Sequence, residues 1–343
     1  MTSAAERAPE PRHRYLGLDL GGTNIKVAVV EERAIALQPT SDGAGALQPS
    51  RGARALQPST VPEITVRESH PTEASRGPEA VVGRLAEVGR DALARHGPVT
   101  AVGVGIAGIV DADGRAQLLP NLPGAWKGVP LRAPLARALG QPVALVNDAR
   151  AFSLAEALLG AARGLGTVVC VVLGTGVGGG VVVGGRLLLG GGVAGEIGHQ
   201  TVQLDGPRCG CGNAGCAEAL TRADVFARLG GRATAREVYE AARAGDARAR
   251  AAVDHVVRWL GVAMANAYVL LAPDAFVVGG GIAAAGDQLL GPLEQEIRRH
   301  VYIAPPERIR VLPAALGPYA GAAGAALRGR EAVRETLNTA SIA

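Results

Sequence analysis

A chain of 343 residues, 48% of them hydrophobic, is long enough to build two domains, each with its own core. Its net charge of +4 comes from arginines scattered among Ala and Glu, the only lysines being Lys26 and Lys127, so no basic stripe marks a nucleic-acid surface. Apolar runs long enough to span a bilayer are studded with glycine, and the start, MTSAAERAPEPRHR, has no apolar core like that of a signal peptide; the expected location is the cytoplasm, with neither nucleic acid nor membrane as partner.

Residues 1 to 13 read as a disordered tail, after which YLGLDLGGTNIKVAVV reads as two strands joined by a tight Gly-Gly turn. ALQPT at 36 to 40 and ALQPS at 46 to 50 and 55 to 59 form a short, irregular repeat. Its prolines oppose both helix and ladder, which predicts a flexible insertion over about 34–62 at a hairpin tip. ITVRES resumes a strand, and residues 78 to 95 space their apolar positions as an amphipathic helix does. TAVGVGIAG reads as a buried strand running into a loop, and ALVND as a strand handing over directly to the helix AFSLAEALLGAARG. A second hairpin, TVVCVVLG with GGVVVGG, precedes a cysteine-bearing loop, a helical stretch from about 221 to 271, the strand AFVVGGG and closing helices. This alternation is α/β throughout and implies sheets covered by helices in two lobes with a cleft between them. The smaller lobe is expected over 14–150, completed by about 318–343, and the larger over 151–317.

The densest chemical signal is GEIGHQTVQLDGPRCGCGNAGCAEAL, which holds His199, Cys209, Cys211 and Cys216 between Glu196 and Glu218. Three sulfurs and one imidazole are the donor set of a closed tetrahedral zinc site. A metal there would clamp a Gly-rich loop with little to bury, and would hold the two flanking acids rigidly. A disulfide between two of these cysteines is the other reading. Cys170, in TVVCVVLG, reads as a small buried hydrophobe.

At Asp19-Leu20-Gly21-Gly22-Thr23 paired glycines let backbone amides approach an anion, and phosphate is the natural guest. Asp19 is placed to hold Mg²⁺, most simply through water; a plain hairpin turn explains the same residues. Gly174-Thr175-Gly176-Val177-Gly178-Gly179-Gly180 and Gly103-Val104-Gly105-Ile106-Ala107-Gly108 both contain GxGxxG. A dinucleotide fingerprint must open a helix, whereas the first runs into the strand-like VVVGG and the second into a turn, DADG. Neither lysine stands in a Walker A context. Asn147-Asp148 lies between a strand and a helix, where Asp148 can be the N-cap, or a base accepting a proton from a sugar hydroxyl. The helix terminus is expected to favour its anion and weaken it as a base. Gly279, Gly280 and Gly281 close a strand with bare backbone against which a flat base could lie.

Together these motifs resemble the ROK family of sugar kinases: DxGGT at Asp19 to Thr23, the ND pair, LGTGVGGG at 173 to 180, GEIGH at 195 to 199, CxCGxxGCxE at 209 to 218 and a late GGG. The resemblance implies a two-lobed actin/hexokinase-like (ribonuclease H-like) fold with a structural zinc loop, and ATP-dependent phosphorylation of a hexose, most simply glucose, at its 6-hydroxyl. It gives Asp148 the role of general base and makes Asn121, Asn147, Glu196, His199, Glu218 and Gly108 sugar contacts. It implies that Asp19, Gly21, Gly22, Thr23, Gly174, Thr175 and Gly176 meet Mg-ATP phosphates, that Gly280 and Gly281 wall the adenosine, and that a homodimer or homotetramer forms. Kinases for N-acetylmannosamine, N-acetylglucosamine, fructose or allose share these contacts. The family's sugar-responsive repressors carry a helix-turn-helix ahead of the first strand, for which 14 residues leave too little room; a non-catalytic sugar sensor is the remaining alternative.

Overall fold

The computed structural model describes residues 13–34 and 60–340. The expected tail, apart from His13, and the ALQP repeat lie outside the described residues. Contacts gather into two units: one runs to Leu145 and resumes at Ala325, and the other is Val146–Gly324. The divisions fall ahead of the expected boundary at 150 and beyond the one at 317, so Asn147 and Asp148 belong to the second unit.

In the first unit β1 (His13–Leu20), β2 (Asn24–Ala34) and β3 (Thr60–Pro71) form an antiparallel meander in which Ala34 faces Thr60. Helix α1 (Pro78–His96) starts on a proline that needs no N–H donor there, and stops at Gly97, whose φ of 84° a side chain would resist. It returns the chain to β4 (Ala101–Ile106), parallel to β1. A small hairpin, β5 (Ile109–Val110) with β6 (Ala116–Leu118), and α2 (Arg132–Leu139) precede β7 (Val143–Asn147). The sheet order is β3-β2-β1-β4-β7. Leu16, Leu18, Val27 and Val29 are buried together with Leu85 and Val88 of α1 and Leu135 of α2.

The second unit begins with α3 (Asp148–Leu158), followed by β8 (Thr167–Leu173), β9 (Val177–Val183) and β10 (Arg186–Leu187). After the cysteine loop come α4 (Ala217–Thr221), α5 (Ala223–Gly230), α6 (Ala235–Arg243) and α7 (Ala247–Leu271), so the helical stretch expected from 221 is four helices, starting earlier. The breaks have local causes: Gly231 closes α5 at φ 64°, and the Thr234 and Asp246 side chains cap α6 and α7. Then follow β11 (Ala275–Gly279), α8 (Asp287–His300), β12 (Val311–Pro313) and α9 (Ala320–Ala340). The sheet order, β10-β9-β8-β11-β12, repeats that of the first unit. Its core includes Val169, Val171 and Phe276 of the sheet, Phe226 of α5, Leu260 and Met264 of α7, and Leu293 of α8.

Helix α9 begins in the second unit and ends in the first. A Cβ on Gly103 would stand 1.6 Å from the Ala325 carbonyl oxygen, so β4 accepts the helix backbone only because that side chain is missing. The same helix sends Arg330 Nη1 to Glu32 Oε1 at 3.1 Å and Arg334 Nη2 to the same oxygen at 3.0 Å. Glu32 and Arg330 are buried, and a buried pair of this kind is costly to break because the survivor is left charged and desolvated.

Candidate functional site

Asn147 ends β7 and caps α3, its Oδ1 accepting from the amides of Ala149 at 3.0 Å and Arg150 at 3.3 Å. The cap is therefore Asn147, and Asp148 is the first helical residue. Burial pushes the Asp148 carboxyl above its ordinary value; the Ala149 amide, 2.9 Å away, pulls it down, and the charge of Glu196 pushes it up again. The balance is upward, the reverse of what the helix terminus alone predicts, because desolvation outweighs the N-terminal field. Residues Ala149 to Ala157 are buried on all sides of the helix, and the polar side chains of Arg150, Ser153 and Glu156 are buried with them.

Missing side chains on β9 let the other parts come close. A Cβ on Gly178 would be 2.8 Å from that of Ala149; one on Gly180 would be 2.5 Å from Ser153 Oγ; and one on Gly195, ahead of Glu196, would be 2.7 Å from the Gly180 Cα. The first turn of α3 and the GEIGH loop thus meet over the same bare strand. Glu218, at the start of α4, accepts from the Val177 amide with Oε2 at 2.9 Å, and a Cβ on Gly176 would run into that oxygen at 2.5 Å. Glu196 Oε1 accepts from Arg150 Nη2 at 3.0 Å, while its other oxygen accepts no hydrogen bond among the described residues. Asp148, Glu196 and Glu218 are therefore mounted around one end of β9.

His199, Cys209, Cys211 and Cys216 bring one donor atom each to within 4.8 Å of one another. Cys209 Sγ lies 3.7 Å from His199 Nδ1, and Cys211 Sγ is 3.7 Å from Cys216 Sγ, too far for a disulfide; all are free thiols. Zn–S bonds of about 2.3 Å at a tetrahedral angle put neighbouring sulfurs about 3.8 Å apart, so the donor set fits a four-coordinate zinc ion. Burial pushes the Cys209 and Cys216 thiols up, which a divalent cation would reverse. With Nδ1 turned to the sulfurs, the Nε2 atom of His199 has no hydrogen bond among the described residues. Glu218 Oε1 lies 3.5 Å from Cys209 Sγ, which ties that acid to the cluster.

In the first unit the Gly21 amide donates to the Asn24 carbonyl at 3.1 Å, closing the turn, and Thr72 Oγ1 donates to the Gly21 carbonyl at 2.7 Å. Asp19 stands near the end of β1 opposite Lys26, and a Cβ on Gly105 would be 3.2 Å from its Oδ1. A Cβ on Gly22 would be 2.7 Å from the Asn121 carbonyl oxygen, and one on Gly108 2.1 Å from that of Leu118, so Asn121 and the Gly-Gly turn are neighbours. In the second unit Gly174, Thr175 and Gly176 form the turn from β8 to β9, with the Gly174 amide on the Gly176 carbonyl at 2.9 Å. Neither glycine-rich run opens a helix. Gly280 has φ 92° and room for no side chain, a Cβ there lying 2.2 Å from the Leu173 carbonyl oxygen, whereas Gly281 faces open space. Cys170 is fully buried and inert, its thiol pushed up to about 12 by burial.

The ROK family model matches residues 60–330. This chain belongs to the ROK family. It is 34% identical to a glucokinase of Thermotoga maritima over 92% of this chain and 97% of that one. Among solved structures it is similar to a ROK hexokinase from Thermus thermophilus, with 33% identity, a TM-score of 0.78, and coverage of 94% of this chain and 99% of that one. It is also similar to a ROK family glucokinase from Streptomyces griseus in complex with glucose and AMPPNP, with 30% identity, a TM-score of 0.69, and coverage of 93% and 99%. With the repeated sheet order, these place the ROK chain in the two-domain actin/hexokinase-like fold. Among the described residues no helix is long and apolar enough to cross a membrane.

Two polar residues of α3 escaped the sequence reading. Glu156 is fully buried and accepts from the amides of Ala161, Ala315 and Leu316 at 2.9 to 3.0 Å, tying α3 to the loop before α9. Arg150 reaches both Glu196 and the Gly192 carbonyl. A charged residue on an otherwise apolar helix was the available signal for both; apart from Ala161, their partners lie more than 40 residues away and were not visible.

Proposed function

We propose that this ROK chain, an ATP-dependent sugar kinase, transfers the γ-phosphoryl group of ATP to the 6-hydroxyl of glucose with Asp148 as general base. The mounting of three carboxylates, Asp148, Glu196 and Glu218, around one end of β9 carries this reading. A buried carboxyl with a raised pKa is a better proton acceptor than an exposed one, and a loose phosphoryl transition state asks mainly that the attacking oxygen be aligned. The free oxygen of Glu196, His199 Nε2 and Glu218 would grip ring hydroxyls, with Asn147, Asn121 and Gly108 completing the sugar contacts. Zinc on His199, Cys209, Cys211 and Cys216 would fix the imidazole and Glu218 by stapling their loop. Asp19 would hold Mg²⁺, while Gly21, Gly22, Thr23, Gly174, Thr175 and Gly176 would meet phosphates through backbone amides and hydroxyls, and Gly280 and Gly281 would flank adenosine. The resemblance supports a cytoplasmic homodimer or homotetramer.

A screen of hexoses with ATP, following ADP release, tests the substrate: glucose should give the highest kcat/KM, ahead of fructose, allose, N-acetylmannosamine and N-acetylglucosamine. Asp148→Asn should still bind sugar and lose turnover by about two to four orders of magnitude. The acid limb of the wild-type profile should have its midpoint above 3.8, since the working form is the carboxylate and its pKa is raised. Normal turnover in the Asn variant would remove Asp148 from the mechanism.

A further inference from the structure

We infer that Arg150 is a positioning residue for the sugar, its guanidinium bridging Glu196 and the Gly192 carbonyl and so fixing the carboxylate that receives ring hydroxyls. The inference rests on the proposed sugar contact of Glu196.

Arg150 is the third residue of α3, two after Asp148, and 8% exposed. A cation in the first turn of a helix faces the positive end of the dipole, and burial adds to the cost. Its Nε is also buried with no hydrogen-bond partner among the described residues. A methionine would fill similar space with none of these penalties, so apolar packing does not account for an arginine here. What the arginine adds is one terminal nitrogen with two N–H donors at the end of a long side chain. Nη2 donates to Glu196 Oε1 at 3.0 Å and to the Gly192 carbonyl at 2.5 Å.

The segment it holds has little rigidity of its own. Gly190, Gly191 and Gly192 have φ of 50°, 65° and 92°, and residues without side chains reach many other conformations as easily. Val193, next in the chain, is 71% exposed and anchors nothing. Glu196 follows this stretch, its side chain 37% exposed, and without Arg150 it would have no hydrogen-bonded partner among the described residues. Because Arg150 and Asp148 share one rigid turn, the base and the hydroxyl-gripping carboxylate are referenced to the same helix.

The test is steady-state kinetics on the full chain with glucose and ATP varied separately. Arg150→Met should raise the glucose KM about 10- to 100-fold, as loss of a charge-assisted hydrogen bond does, with much smaller changes in kcat and in the ATP KM. In a Glu196→Gln background the Met substitution should add little, since both variants remove the same grip. Arg150→Lys keeps the buried charge on a side chain one bond shorter, so its nitrogen falls short of the place Nη2 holds, and should fall between wild type and Met; it carries the test if the Met variant does not fold. An unchanged glucose KM in the Met or Lys variant, or effects of Arg150→Met and Glu196→Gln that add in full, would overturn the inference. If Glu196→Gln itself leaves the glucose KM unchanged, the proposed sugar contact fails, and the role of Arg150 with it.

Discussion

The two units share one sheet order, a three-strand antiparallel meander followed by two further strands, yet they differ in where glycine stands. Strand β2 of the first unit, NIKVAVVEERA, has none; its counterpart β9, VGGGVVV, has three. On β2 the side chains Val27 and Val29 build core, whereas on β9 the bare positions let α3 and the GEIGH loop approach the strand. The first unit keeps its paired glycines for the turn at Gly21 and Gly22, where backbone rather than side chains does the binding in the proposed reading. In the proposed reading the same scaffold thus yields a side-chain-rich site where the strand is stripped, and a backbone site where the turn is stripped.

Removing the proposed zinc should distinguish the two units most. Structural zinc contributes on the order of 10 kcal/mol in small zinc domains. Chelation, or Cys211→Ser, should therefore lower the melting temperature and weaken sugar binding together, with hydrogen-exchange protection lost around residues 199–218 and retained in β1 and β2. Loss of neither stability nor affinity would show that the cysteines hold no structural ion.

The converse experiment targets the first unit. Glu32→Ala strands the buried Arg330 and should cost about 3–5 kcal/mol, read as a lower denaturation midpoint, while the folded fraction keeps its glucose KM. A change in KM without a change in midpoint would mean that Glu32 acts on the site.

A smaller effect should appear in acid. Burial pushes the Glu68 carboxyl up, but hydrogen bonds from His96, His70 and Arg95 outweigh it and hold the group at about 2, below its ordinary 4.5. A pKa depressed by folding gives stability that is present above 4.5 and lost as pH falls toward 2. The contribution is on the order of 3 kcal/mol at most, and ties β3 to the last turn of α1. Glu68→Gln should flatten the stability curve in that window; an unchanged slope would assign acid sensitivity to other groups.

What the sequence disclosed was local. The Gly-Gly turn, the β8–β9 turn, the handover from β7 to α3 and the spacing of the cysteines each depend on residues a few positions apart, and each element is found where its pattern lay. The short strands β5, β6, β10 and β12 were not anticipated as separate elements, since two or three residues carry no period. Nor could the raised carboxyl of Asp148 be foreseen, because its burial goes with the close packing of α3 on the glycines of β9, and the charge that adds to the shift is that of Glu196, 48 residues on. Arg150 and Glu156, which the sequence pattern did not single out, anchor α3 to segments distant in the chain.

The bond between Glu32 and Arg330 joins residues 298 positions apart. At about 5–20 residues per second, a ribosome that has just released Glu32 needs roughly 15–60 s more before its partner emerges. The early sheet must wait through that interval without the helix that covers it, exposed to chaperones and to its own copies on neighbouring transcripts. Slowing elongation should therefore harm the yield of this enzyme more than that of a protein whose leading half is finished from its own residues.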